Sequence, residues 1–321
     1  MMALLYETVP TFEDIWIECL GDLARYRMAI EDDDIRDREI WTGWYSKASN
    51  KVSTIGRLYH HLAILARPNA LQQLYYYAKS LCTVLPFTSA RESILTLFDS
   101  VLNAENGQGQ YRLPPLDTAF IRAYAHLFTN RTMDRFDIAV KKFLMLLDSQ
   151  IGCVTKKFLE QGYQIFISNT VAVLSFGSKD NSVMKVIVPA VADKTDVQRE
   201  GTEDETSPSM VAFRYTERLN NSAFDIVLRR IGDLNCFSYI YCFFVFIYCI
   251  SHFSGAMDIL ASVFPWKSLA IYLNILFGLG INLDCIQNDN FPLPEKDDIR
   301  PFPEDYVMWG LLYAEKLYPG K

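Results

Sequence analysis

Catalytic chemistry is what this sequence most plainly lacks. It contains no G-x-G-x-x-G loop, no P-loop, no H-E-x-x-H and no nucleophile motif, the patterns that mark phosphate cradles, zinc proteases and acyl-transfer enzymes. Histidine is scarce, at four residues, and the seven cysteines are scattered without a C-x-x-C pair. That distribution excludes a structural zinc site and fits a reducing, intracellular compartment rather than a disulfide framework. His60 and His61 are adjacent, and neighbouring helix positions point ~100° apart, so together they hold no metal; one should pack and the other face solvent. The run Asp32, Asp33, Asp34 lacks the convergence and ordered second shell of a magnesium site. The sequence calls for no enzyme activity, cofactor, metal or small-molecule substrate.

Positive charge is also short. Lys and Arg number 31 against 38 Asp and Glu, a net charge of −7, which excludes a general affinity for phosphate backbones and leaves nucleic acid only a local basic patch. The N-terminus has no basic segment leading into an apolar run, because Glu7, Glu13 and Asp14 come early; a secretory leader is not expected. Cys236 to Ile250 is fifteen residues without charge, shorter than the roughly 20 a membrane span needs and studded with Ser238, Tyr239, Tyr241 and Tyr248. A buried core helix is the expectation there, with a membrane-embedded protein through 236–250 as the alternative.

Helices account for most of what is present. Half of the residues are apolar and 14% aromatic, enough for a large core. An opening helix is expected over roughly Thr11 to Ile30, with Trp16, Leu20, Leu23 and Ala24 on its packed face and Arg25 about 180° from Trp16. The acidic segment Glu31 to Glu39 is a solvated loop or helix end. Leu58, Leu62, Leu65 and Ala66 give one helix, broken at Arg67-Pro68-Asn69, and Leu71, Leu74, Ala78, Leu81, Cys82 and Leu85 give the next. So short a break makes the two antiparallel, as in tetratricopeptide stacks. The Tyr75-Tyr76-Tyr77 triplet should bury at least one ring. Ser89-x-x-Glu92 opens a third helix with Ala90, Ile94, Leu97, Phe98 and Val101 inward. After the connector Asn106 to Pro115, helices are expected over Asp117 to Phe128 and Phe136 to Asp148, then one long helix over Cys153 to Phe176. Asp193 to Ser209 carries six acids and reads as a disordered linker. Prolines 292, 294, 301 and 303 mark an extended strap before a last helix near Asp305 to Tyr318. The expected organisation is a helical array over 1–104, a helical-hairpin region over 105–192, the linker 193–209, and a second helical part over 210–321.

Taken in order, Leu20-Gly21-Asp22-x-Ala24-Arg25-Tyr26-Arg27, Trp44-Tyr45-x-x-Ala48, Gly56-x-x-Tyr59-x-x-Leu62-Ala63-x-Leu65-Ala66, Tyr75-Tyr76-Tyr77-x-Lys79-Ser80-Leu81 and Pro86-Phe87-x-x-Ala90 resemble the telomerase-binding Est and nonsense-mediated-decay Smg proteins. The resemblance continues through Leu228-Arg229-Arg230-Ile231-Gly232-Asp233, Pro265-Trp266-x-Ser268-Leu269 and Phe302-Pro303-Glu304-Asp305. It implies an all-α fold: a 14-3-3-like, tetratricopeptide-built array that holds phosphoserine peptides, then a helical-hairpin DNA/RNA-binding region. It further implies a non-enzymatic adaptor of the nucleus or cytoplasm, working in mRNA decay or telomerase regulation, with a phosphorylated protein and RNA or telomeric DNA as partners. Arg25 and Tyr26 fall on the phosphate-binding part of the Gly-Asp-x-x-Arg-Tyr signature, and His60 and Lys79 are the candidate peptide-binding surface beside it. A general helical scaffold without phosphate recognition is the alternative. Three features depart from the family pattern. Only about twenty residues stand ahead of Gly21, where the resemblance implies several helices, one supplying a second basic residue to the phosphate, so an N-terminally truncated member is an expectation; Leu58-Tyr59-His60-His61 stands for the usual Pro-Tyr-Asn-Gln; and Trp309 precedes Gly310 where arginine is common.

Overall fold

The structure, a computed structural model, describes residues 35–103, 113–129, 133–191, 208–278 and 302–317, together with Trp16, Cys19, Asp22, Leu23 and Tyr26. Among these residues the fold is all-α, with thirteen α-helices and no strand. The front array comprises α1 (Ile35–Lys51), α2 (Gly56–Leu65), α3 (Ala70–Leu81) and α4 (Ala90–Asn103). Next come α5 (Pro115–Thr129), α6 (Met133–Val154), α7 (Lys157–Val173) and α8 (Ser182–Val191). The rear holds α9 (Pro208–Leu228), α10 (Phe237–Ser251), α11 (Ser254–Ala261), α12 (Trp266–Gly278) and α13 (Pro303–Met308). Most of the expected linker and proline segments, and the residues around Arg25, lie outside the described set.

Helix α7 is the axis of the fold. Every residue from Gln164 to Val173 is buried, as befits a helix enclosed on all sides by α3, α9 and α10. Its two hydroxyls bond within the helix, Ser168 donating to Gln164 O at 2.7 Å and Thr170 to Phe166 O at 3.0 Å, and Asn169 Oδ1 accepts from Tyr124 on α5 while its Nδ2 has no hydrogen-bond partner. The stretch Cys153 to Phe176 is not one helix, however. Thr155 has φ 50°, which ends α6 and starts α7 on a new axis without glycine or proline to signal it. Together with the 3-10 turn Leu234–Cys236 that leads into it, α10 is long and apolar enough to cross a membrane, yet Tyr239, Cys242, Phe243 and Ile250 are buried in the protein core. Its polar atoms meet α13: Ser238 donates to Glu304 Oε1 at 2.6 Å and Tyr241 to Asp305 Oδ1 at 2.7 Å.

The C-terminal segment closes the front array. Residues 82–85, which follow α3, are gripped on both sides: Leu85 N donates to Thr54 O at 3.0 Å and Gly56 N to Leu85 O at 2.9 Å, while Val84 N donates to Gly310 O at 3.1 Å and Leu312 N to Cys82 O at 2.9 Å. The expected last helix is therefore shorter than its pattern suggests. Gly310 takes φ 77°, and a Cβ there would lie 1.8 Å from Ser53 O. Only glycine permits that approach.

Candidate functional site

The tight break at Arg67–Asn69 sets α2 against α3, with Asn69 accepting from Gln72 N at 3.1 Å to cap α3. This arrangement sends His61 inward from α2 toward Tyr45 on α1. The Tyr45 hydroxyl donates to Asp22 Oδ1 at 2.9 Å. Having spent its one proton there, its oxygen accepts from His61 Nδ1 at 2.8 Å. His61 Nδ1 also lies 3.3 Å from Asp22 Oδ1. Tyr45 is fully buried, in a satellite core with Ala48, Leu58, Tyr59, Leu62 and Leu65. The aspartate of the signature thus meets side chains of both α1 and α2. Tyr26, four residues further on, is helical and 59% exposed. Leu23, expected on the packed face, is 52% exposed.

Arg25 lies outside the described residues. His60 is half-buried, its Nε2 2.9 Å from Ser93 Oγ on α4 and its ring 4.9 Å from that of Phe87. The expectation of one packed and one outward histidine holds for His61, while His60 is partly covered. Lys79 is a correction. It is not on a peptide-binding surface but 1% exposed, with Nζ donating to Val307 O at 2.7 Å and Tyr306 O at 3.3 Å and sitting 4.2 Å over the Tyr59 ring. Burial pushes its pKa well below the usual lysine range, but both carbonyls and the ring favour the charged amine. Lys79 clips the C-terminal segment to the array. The Tyr75 and Tyr77 rings are buried and Tyr76 is packed against the core, so the triplet offers no platform for bases.

The described residues include no group of histidine, cysteine and carboxylate side chains able to hold a metal. Burial pushes the Cys82, Cys236 and Cys249 thiols up to about 12, which leaves them inert as nucleophiles. A second feature escaped the sequence reading: a cleft along α9 lined by Arg214, Arg218, Asn221 and Arg229. Its only sequence signal is arginine at i, i+4 on a helix.

Residues 42–223, more than half of the chain, match the family described as the Est1 DNA/RNA binding domain. The chain is 36% identical over 83 residues to the telomerase-binding protein EST1A of Danio rerio, a stretch covering 25% of this chain and 5% of that protein. It is 33% identical over 84 residues to the nonsense-mediated mRNA decay factor SMG7 of Arabidopsis thaliana, covering 25% of this chain and 8% of that one. The matched stretches are small parts of both relatives.

Proposed function

This chain belongs to the Est1 DNA/RNA binding domain family, and on that footing we propose that it is a non-catalytic adaptor whose front array receives a phosphoserine-bearing segment of a partner protein. Arg25 is the phosphate ligand and Tyr26 its assistant, a guanidinium and a hydroxyl suited to phosphate oxygens. The observation that supports this reading is the clamp on Asp22 of the signature, whose carboxylate accepts from Tyr45 and lies 3.3 Å from His61 Nδ1, four residues before the exposed Tyr26; anchoring the segment lowers the entropy lost on binding. The proposed work is in nonsense-mediated mRNA decay or telomerase regulation, in the cytoplasm or nucleus, a reading supported by the names of the two relatives.

A charge-assisted contact of this kind contributes ~1.5–3 kcal/mol, roughly a tenfold to hundredfold preference for the phosphorylated form. The test is fluorescence anisotropy with a degenerate phosphoserine peptide pool and its unphosphorylated counterpart. A preference of tenfold or more supports phosphate recognition; equal binding of the two pools supports a plain helical scaffold instead.

A further inference from the structure

Helix α6 packs by one face, on which Phe136, Ala139, Val140, Phe143, Leu147 and Ile151 are buried. At ~100° per residue, the positions diametrically opposite that face are 138 and 145. A surface helix ordinarily gives this pole to charged or polar residues. Here it carries Ile138, 67% exposed, and Met145, 82% exposed. The two stand two turns apart, ~10 Å along the axis. Lys141 lies on one flank of the pair and Arg135 and Lys142 on the other, all three exposed.

Charge on this helix is sorted rather than balanced. Asp137 is paired with Arg218 of α9 and Asp148 with Arg230 just beyond α9, so these carboxylates are spent on a neighbouring element. Arg135, Lys141 and Lys142 have no ion pair among the described residues. Only Asp134 remains against them, in the first turn, where the helix dipole itself favours an acid. Lys156 and Lys157 follow, exposed, at the C-terminal end. A chain of net charge −7 thus presents one locally positive helix face with an apolar centre.

We propose that this face of α6 docks an acidic amphipathic helix of a partner protein, whose apolar stripe covers Ile138 and Met145 while its carboxylates meet Lys141, Lys142 and Arg135. Helices laid side by side match apolar residues seven apart, and the charges flanking that seam choose the partner. Charge is what selects the occupant. A second copy would bring the same cations against these, and like charges across an interface are repelled. A nucleic acid would use the cations but leave Ile138 and Met145 facing water. Met145 also suits a docking surface, because its unbranched thioether adapts to the shape of what covers it.

The test is fluorescence anisotropy of the full chain with three labelled peptides of about eighteen residues, some five turns. The first is an acidic helix of glutamate and alanine with leucine at heptad positions a and d. The second replaces its glutamates by lysine, and the third shuffles the acidic composition so that no stripe forms. The acidic helix should bind at least about tenfold more tightly than either. Ile138→Ser/Met145→Ser, which alters only exposed side chains, should weaken it about tenfold without changing its salt dependence. Lys141→Glu/Lys142→Glu should weaken it at least as much and flatten that dependence. Leu234→Ser, at an 81% exposed residue away from α6, and Lys179→Glu, at an exposed one, should leave affinity unchanged. Failure of the acidic helix to bind at low salt, or equal weakening by the Leu234 and Lys179 variants, overturns the proposal. Displacement of the peptide by an RNA that needs Lys141 and Lys142 but not Ile138 and Met145 would assign the face to nucleic acid. Tighter peptide binding by Glu203→Gln/Asp204→Asn/Glu205→Gln would assign it to the chain's own acidic residues. Either result equally overturns the proposal.

Discussion

Replacing Gly310 by alanine probes the closure that holds the front array together. The residue has φ 77°, where a side chain costs ~1–2 kcal/mol. The added methyl would also stand 1.8 Å from Ser53 O and 2.9 Å from Thr54 N. Both obstacles are backbone atoms, so no rotamer change relieves them and the C-terminal segment has to move. That movement strains the bonds between Val84 N and Gly310 O and between Leu312 N and Cys82 O, each worth ~1 kcal/mol. The combined effect is about 3–4 kcal/mol, a drop in melting temperature of roughly 4–6 °C for a chain of this length. The control is Gly232→Ala, where φ is 80° and nothing lies within 4 Å of the added Cβ. It should show only the conformational cost, ~1 kcal/mol. Thermal melts followed by circular dichroism compare the two. If Gly310→Ala melts with Gly232→Ala, the reasoning that a close backbone approach closes the array is wrong.

Asp117 is buried on α5, its Oδ1 has no hydrogen-bond partner, and burial pushes its pKa up to about 6. A carboxyl raised above its unfolded value contributes stability that is fully present below ~4 and lost as the pH rises through about 6. Asp117→Asn should therefore be more stable than the parent at pH 7 by ~2–3 kcal/mol, with the gain vanishing by about pH 4; denaturant titrations at both pH values check this. Tyr45→Phe removes the hydroxyl shared by Asp22 and His61, at ~1–2 kcal/mol. Hydrogen exchange should then quicken around Trp16 to Tyr26 before it quickens in α7, and uniform quickening would contradict a local clamp.

How far the sequence could be read depended on the distance over which each feature is decided. The break between α2 and α3 and the inward ring of Tyr75 follow from Pro68 and from helical spacing, which act within a few residues. Lys79 could not be read that way. Its covering carbonyls on Tyr306 and Val307 lie more than two hundred residues along the chain, so a polar residue beside an apolar stripe looked solvated. The break at Thr155 has no glycine or proline to announce it, and a residue with positive φ is invisible to periodicity. The α9 cleft is formed only once Val263 folds against the helix, where Asn221 donates to its carbonyl. Asp22 carried more than its signature suggested: the motif pointed to Arg25 and Tyr26, while the structure puts the anchoring in the aspartate.

The phosphate contact itself is tested most directly by exchanging its proposed ligand. Isothermal titration of the parent chain, Arg25→Lys and Arg25→Glu with a phosphoserine peptide selected from the pool should give three separated affinities. The account expects Arg25→Lys to keep the positive charge but lose bidentate geometry, binding several-fold more weakly. Arg25→Glu, which sets a carboxylate against the phosphate, should abolish the preference for phosphoserine. Equal affinity of Arg25→Glu and the parent for the phosphorylated peptide would contradict the account.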